Sequence, residues 1–202
     1  MGRSSCRELR AKGGWAEDAA GYGCRWPIAW RNTYSNIGYC LAGIWVVSSD
    51  PTPFGAMMCL ALCLLGVGSA WYHGHKTRIG NSLDWMGMYA CMLLLVLHGI
   101  APRAPLIAAL FTFAWALLFG GVFSFKPKHF DWHMGLFFLL ACVPVALRDW
   151  HALILPVSCF AFGYLCWQLD KRRSPIIGLW GHAGWHVSTA VAMAALYAVQ
   201  AV

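Results

Sequence analysis

Acidic side chains are scarce in this sequence. Eight Asp and Glu stand against 15 Lys and Arg in 202 residues, and charged residues of both signs together make up 11%. An ordinary soluble domain carries about 25% charged residues, so a water-exposed surface of the usual kind is excluded. Paired cysteines are missing as well. The nine cysteines form no CxxC, which argues against a dithiol redox centre or a Cys-rich zinc module. Most of them, such as Cys40, Cys91, Cys142 and Cys159, sit singly in apolar stretches and read as small buried hydrophobes. No internal repeat or low-complexity segment is present.

Hydrophobic residues fill 59% of the chain. They fall into runs long enough to span a hydrocarbon core of about 30 Å, which takes on the order of 20 helical residues. Seven spans are predicted: Thr33 to Ser49, Pro53 to Tyr72, Leu83 to Ala101, Ala104 to Phe123, Phe130 to Leu147, Ala152 to Leu169, and Gly178 to Val202. The expected fold class is therefore all-α, an integral membrane bundle of seven transmembrane helices over residues 33–202. Residues 1–32 lack the apolar core and cleavage site of a secretory signal, and are expected to form an interfacial N-terminal segment. Most of the 12 tryptophans read as anchors at the bilayer interface.

Basic residues set an orientation. Arg3, Arg7, Arg10, Lys12, Arg25, Arg31, Lys76, Arg78, Lys126, Lys128 and Lys171 to Arg173 all fall on the side of the N-terminus, and only Arg103 and Arg148 on the other. The positive-inside rule then places the N-terminus in the cytoplasm and the C-terminus outside. Nucleic-acid binding is a poor reading, because the cations are scattered through short loops.

An ionisable group inside a span costs several kcal/mol unless paired, coordinated or wet, which makes each one a candidate for function. Ser69 and His73 are four apart at the end of the second span, Asp84 begins the third, and His182 and His186 share the same four-residue spacing in the last. Residues four apart lie on one helix face, and two such imidazoles converge on one ion. With seven alternating spans, all five residues lie at one face of the membrane. Three neutral imidazoles with a fourth position open form the ligand set of a catalytic Zn²⁺. Asp84 is placed to take a proton or orient a ligand, and Ser69 to hydrogen-bond a substrate carbonyl.

Other readings compete. His129 and His133 form a second HxxxH pair with Asp131 between them, near Lys126 and Lys128, and read as an interfacial belt. His98 and His151 lie toward the opposite face, and His75 lies just past a helix end. Gly66 and Gly68 read as close helix packing. A retinal pump is excluded because none of the five lysines falls within a span. A transporter is disfavoured because the polar groups gather at one face and leave no path across.

The motifs together resemble a known superfamily, that of alkaline ceramidases, progestin and adiponectin receptor-like proteins, and lipid hydrolases that remodel GPI anchors. Within it, the chain is most similar to alkaline ceramidases and their bacterial relatives. Asn32-Thr-Tyr-Ser-Asn36 looks like their NTxSN, Gly68-Ser-Ala-Trp-Tyr-His73 like GSxxxH, Leu83-Asp84 like LD, and His182-Ala-Gly-Trp-His186-Val-Ser-Thr-Ala190 like HxxWHxxTA. The resemblance runs from about Asn32 to the C-terminus.

It implies a zinc-dependent amidase that hydrolyses the N-acyl bond of ceramide or a related membrane lipid. His73, His182 and His186 would hold the zinc, with Asp84 and Ser69 assisting. Two departures stand out. Ala29 occupies the place of a glutamate found in members with a calcium site, so calcium is not expected here. The charge count also puts this face in the cytoplasm, as in the receptor-like branch, which Leu83-Asp-Trp-Met-Gly-Met88 partly resembles. The alternative is thus a non-enzymatic lipid receptor with a structural zinc.

Overall fold

The computed structural model describes residues 27–116, 118 and 130–201. Most of the expected N-terminal segment, the end of the fourth span and His129 lie outside them. Every described element is helical: α1 (Trp30–Tyr34), α2 (Ile37–Ser49), α3 (Pro53–His75), α4 (Arg78–Ile100), α5 (Pro105–Ala116), α6 (Phe130–Asp149), α7 (Ile154–Lys171) and α8 (Gly181–Ala201). Single 3₁₀ turns at Trp150–Leu153 and Gly178–Trp180 lead into α7 and α8.

Three helical stretches are long and apolar enough to cross a membrane: Pro53–His75, Arg78–Ile100 and the 40 residues Trp132–Lys171. The last is not one rod. It breaks at Trp150–Leu153, and the Phe138 and Phe160 rings stack with centroids 4.0 Å apart, so α7 folds back along α6. α2, with 13 residues, rises only about 20 Å. α8 has the length, with 21 residues, but its histidines, Ser188, Thr189 and Gln200 dilute its apolar character. The outward faces are oily, with Leu60, Leu106 and Ile107 each 71% exposed. Water does not tolerate such a continuous apolar surface, and lipid does. Seven described cysteines are free thiols; Cys91, Cys142 and Cys166 are buried as expected, whereas Cys40, Cys59, Cys63 and Cys159 are only half-buried.

Local chemistry explains how the chain turns at the polar end. α3 stops at His75 because Lys76 takes up the left-handed conformation (φ 54°) that closes a helix C-terminus. Thr77 then caps α4 at once, its hydroxyl accepting from the Gly80 amide at 3.1 Å. Hence α4 begins at Arg78, five residues before the predicted start of its span, and His75 belongs to the helix.

This two-residue link makes α3 and α4 antiparallel neighbours, and glycines bring their backbones together. A Cβ on Gly68 would lie 2.8 Å from Leu83, one on Gly80 2.8 Å from the Tyr72 amide, and one on Gly87 2.5 Å from the Leu65 Cα. Any side chain there would force the helices apart. The core between them and α8 is filled by Tyr39, Met58, Leu62, Leu65, Met92 and Leu196, all almost wholly buried.

The opposite end of the bundle has its own polar tie. Tyr197 donates to the Asp50 carboxylate and stacks on His98, with ring centroids 4.5 Å apart. Burial pushes the Asp50 carboxyl up, but the hydroxyls of Tyr197 and Thr52 outweigh it and hold the group below the ordinary carboxylate range. His98 is thus spoken for away from His73, His182 and His186, as its position in the sequence suggests.

Candidate metal centre

His73, near the end of α3, meets His182 and His186, one turn apart at the start of α8. One ring nitrogen of each lies within 4.8 Å of the others, and all three residues are buried. The His73 and His182 Nε2 atoms are 3.1 Å apart. Ring centroids are separated by 4.7 Å (His73 to His182), 5.1 Å (His73 to His186) and 4.5 Å (His182 to His186). Tetrahedral zinc with bonds of about 2.0–2.1 Å holds its nitrogens about 3.3 Å apart. The cluster is within a small side-chain adjustment of that spacing, and its donors are the borderline-soft nitrogens that zinc, copper, nickel and iron accept. The three residues therefore fit a metal ion.

His186 has a polar partner in Ser35. Ser35 has one proton and donates it to the Asn32 carbonyl at 3.2 Å. Its oxygen lies 2.7 Å from His186 Nδ1, where it accepts when Nδ1 carries the ring proton. That leaves the Nε2 lone pair free to face the centre, the arrangement found for most metal-bound histidines. α1 supplies this support because it is pinned to the end of α3, with the Ile28 and Ala29 amides donating to the Gly74 and His73 carbonyls at 3.1 and 3.2 Å. Truncation in the Ser35→Ala chain is expected to weaken metal affinity about 10- to 100-fold, the usual cost of losing such a partner. Competition with a calibrated chelator measures this, and an unchanged affinity would remove Ser35 from the account.

His73 has a different neighbour. The Lys76 Nζ lies 3.3 Å from its Nδ1 and 4.7 Å from the centre of the Tyr72 ring. An ammonium can only donate, so it places the imidazole proton on Nε2, pointing at His182. A metal ion held through Nε2 would need that nitrogen's lone pair, with the proton of the neutral imidazole on Nδ1 instead.

Ser69 is one turn before His73 and buried, and its hydroxyl bonds the Asp84 side chain. The contact is a direct product of the Gly68 approach to Leu83 and Asp84. Asp84 is itself buried but is not among the residues close enough to share the ion. The structure thus brings together His73, His182 and His186 as one group and Ser69 with Asp84 of α4 as a second, with Ser69 one turn before His73 on α3.

His133, of the competing pair, bonds the Tyr89 hydroxyl at 2.8 Å and stands apart from the three-histidine group. The sequence reading did not single out Ser35, Tyr39, Lys76 or Thr189 as site residues. Thr189 donates to the Trp185 carbonyl at 2.7 Å and accepts from the Tyr39 hydroxyl, also at 2.7 Å, which buttresses the His186 turn. A run of small polar residues, Asn32 to Asn36, directly before an apolar span was the available signal for Ser35.

Not all tryptophans are interface anchors. Trp167 and Trp185 are buried and stack on each other with centroids 5.6 Å apart. They form the inner wall of a cavity of about 600 Å³ between α6 and α7, whose outer walls include Phe138, Phe160 and Tyr164. None of the three metal-centre histidines lines it, but Trp185 immediately precedes His186. Compared with the models of known protein families and with curated proteins, the chain matches none.

Proposed function

We propose that the chain is a zinc-dependent lipid amidase of the ceramidase type, held in the membrane by seven helices with its N-terminus in the cytoplasm. The observation that carries this reading is the buried three-histidine group with a carboxylate, Asp84 of α4, bound by the serine one turn before His73. A structural site normally closes all four positions with protein ligands, whereas three leave one for reacting groups. Zinc, when bound, supplies an activated water and polarises the substrate carbonyl.

The chain's own residues do the rest. His186, fixed by Ser35, keeps its lone pair on the centre. Asp84 accepts the proton released as water attacks the amide and returns it to the leaving nitrogen, which departs as an amine. Ser69 orients Asp84 in the resting site, and its hydroxyl can turn to the developing oxyanion. The cavity between α6 and α7 favours a lipid substrate, since its volume suits a small-molecule site and its walls are aromatic and aliphatic. It gives an acyl chain a way in from the bilayer.

Release of fatty acid from a panel of N-acyl lipids, before and after stripping metal with a chelator, tests the reading. Zinc-dependent release of fatty acid and amine is expected. The charge bias shared with the receptor-like branch favours one other reading, a lipid receptor, and tight lipid binding without turnover would select it.

A further inference from the structure

The basic residues at the histidine end set an orientation, but three of them stand apart from the rest. Arg78 opens α4, Arg172 and Arg173 follow the end of α7, and all three are exposed. Among the described residues, no ion pair or side-chain hydrogen bond holds any of them. Asp84 and Asp170, the carboxylates whose side chains are described at this end, are buried. Lys76, Lys171 and Arg31 are engaged, each with an imidazole or an aromatic ring. At the other end, Arg148 donates to the Val199 carbonyl.

Both turns that carry the three arginines also present an isoleucine. Ile79, next to Arg78, is 72% exposed, and Ile176, three residues after Arg173, is 87% exposed. Hydrogen bonds hold these turns in place. Thr77 caps the first, and in the second the Ser174 amide donates to the Leu169 carbonyl at 2.9 Å and the Gly178 amide to the Ser174 carbonyl at 3.2 Å. Arg173 takes the left-handed conformation (φ 52°) that usually falls to glycine after a helix. Arg78 sits in the first turn of α4, where the helix dipole disfavours a cation. Local helix energetics therefore explain neither residue.

Water suits the arginines but leaves the isoleucines exposed, and hydrocarbon does the reverse. The head-group zone of a bilayer suits both. It suits unpaired cations best where the lipids are anionic, which is worth about fivefold in affinity for each basic residue near the surface. The proposed orientation sets this end against the cytoplasmic leaflet, the one that carries the negative surface potential.

We infer that the histidine end of the bundle is a docking surface for an anionic phospholipid leaflet. Arg78, Arg172 and Arg173 hold the phosphate-bearing head groups, and Ile79 and Ile176 dip among the first acyl carbons. The inference rests on the membrane placement of the chain and is independent of metal binding and turnover. Phosphatidylglycerol and phosphatidylcholine with the same acyl chains differ in head-group charge. Each is titrated into the full-length protein in neutral detergent, and bound lipid is counted by native mass spectrometry.

Phosphatidylglycerol is expected to bind at least about tenfold more tightly, with the preference reduced to within about twofold when Arg78→Gln, Arg172→Gln and Arg173→Gln are combined. Lysine at the same three positions is expected to keep it. Arg103→Gln removes an exposed cation from the other end and is expected to leave the preference unchanged, which separates a local surface from net charge. Equal binding of the two lipids by the wild type, a preference that survives the triple Gln variant, or an equal loss in Arg103→Gln would overturn the inference. A chain that needs detergent but shows no preference overturns this inference alone, whereas recovery of the chain in water without detergent would overturn the membrane reading with it.

Discussion

His186→Ala is expected to abolish hydrolysis while leaving the helical bundle intact. His186 contributes little apolar packing beyond its ring, and its neighbours Trp185 and Thr189 keep their own contacts in the core and on the backbone. The loss should reach at least about 10²–10³-fold, the scale of removing one preorganised contact to a developing charge. Metal occupancy should fall in parallel, because two imidazoles rarely hold zinc against a solvent that offers water in place of the third. The measurement pairs fatty-acid release with far-UV circular dichroism in detergent. Unchanged helicity with lost turnover supports the site, and full activity in the variant contradicts it.

Asp84→Asn separates the proton's path from the metal. The amide has the same shape and can still accept from the Ser69 hydroxyl, so the close α3 and α4 contact at Gly68 is undisturbed. It cannot take a proton. Since Asp84 lies outside the group that would share the ion, metal content should stay near that of the wild type while turnover drops by about 10²–10⁴-fold. Loss of the metal along with activity would instead make Asp84 a ligand. Retention of both would leave it a structural residue, tied to Ser69 only to satisfy burial.

These expectations rest on features that differ in how far the sequence disclosed them. The i, i+4 spacing of His182 and His186 implies a shared helix face, and the rings do meet at 4.5 Å. The joining of His73 to them follows from alternation of the chain between two faces, which is a topological inference and needs no side-chain detail. Gly68 and Gly80 permit the close helix approach that sets Ser69 beside Asp84.

Ser35 is different. It lies 151 residues from His186 in the chain, and only the docking of α1 on the end of α3 brings its hydroxyl to Nδ1. Lys76 reads in sequence as a solvated loop cation. Its inward aim depends on a backbone conformation that residue type argues against. The helix bounds erred where caps decide them, as at Thr77, because hydropathy records the apolar stretch and not the polar first turn that precedes it. Trp167 and Trp185 carry the same composition signal as the exposed tryptophans. Their burial is a matter of which helix face packs on which neighbour, and that is settled by tertiary contact.

The central claim is that His73, His182 and His186 bind one metal ion. Bound metal per chain, determined by elemental analysis of the detergent-purified wild type and of His182→Ala, tests it most directly. The account predicts close to one zinc per wild-type chain and a fall to background in the variant. Purified wild-type protein that holds no metal after zinc loading, or a variant that holds as much as the wild type, would contradict it.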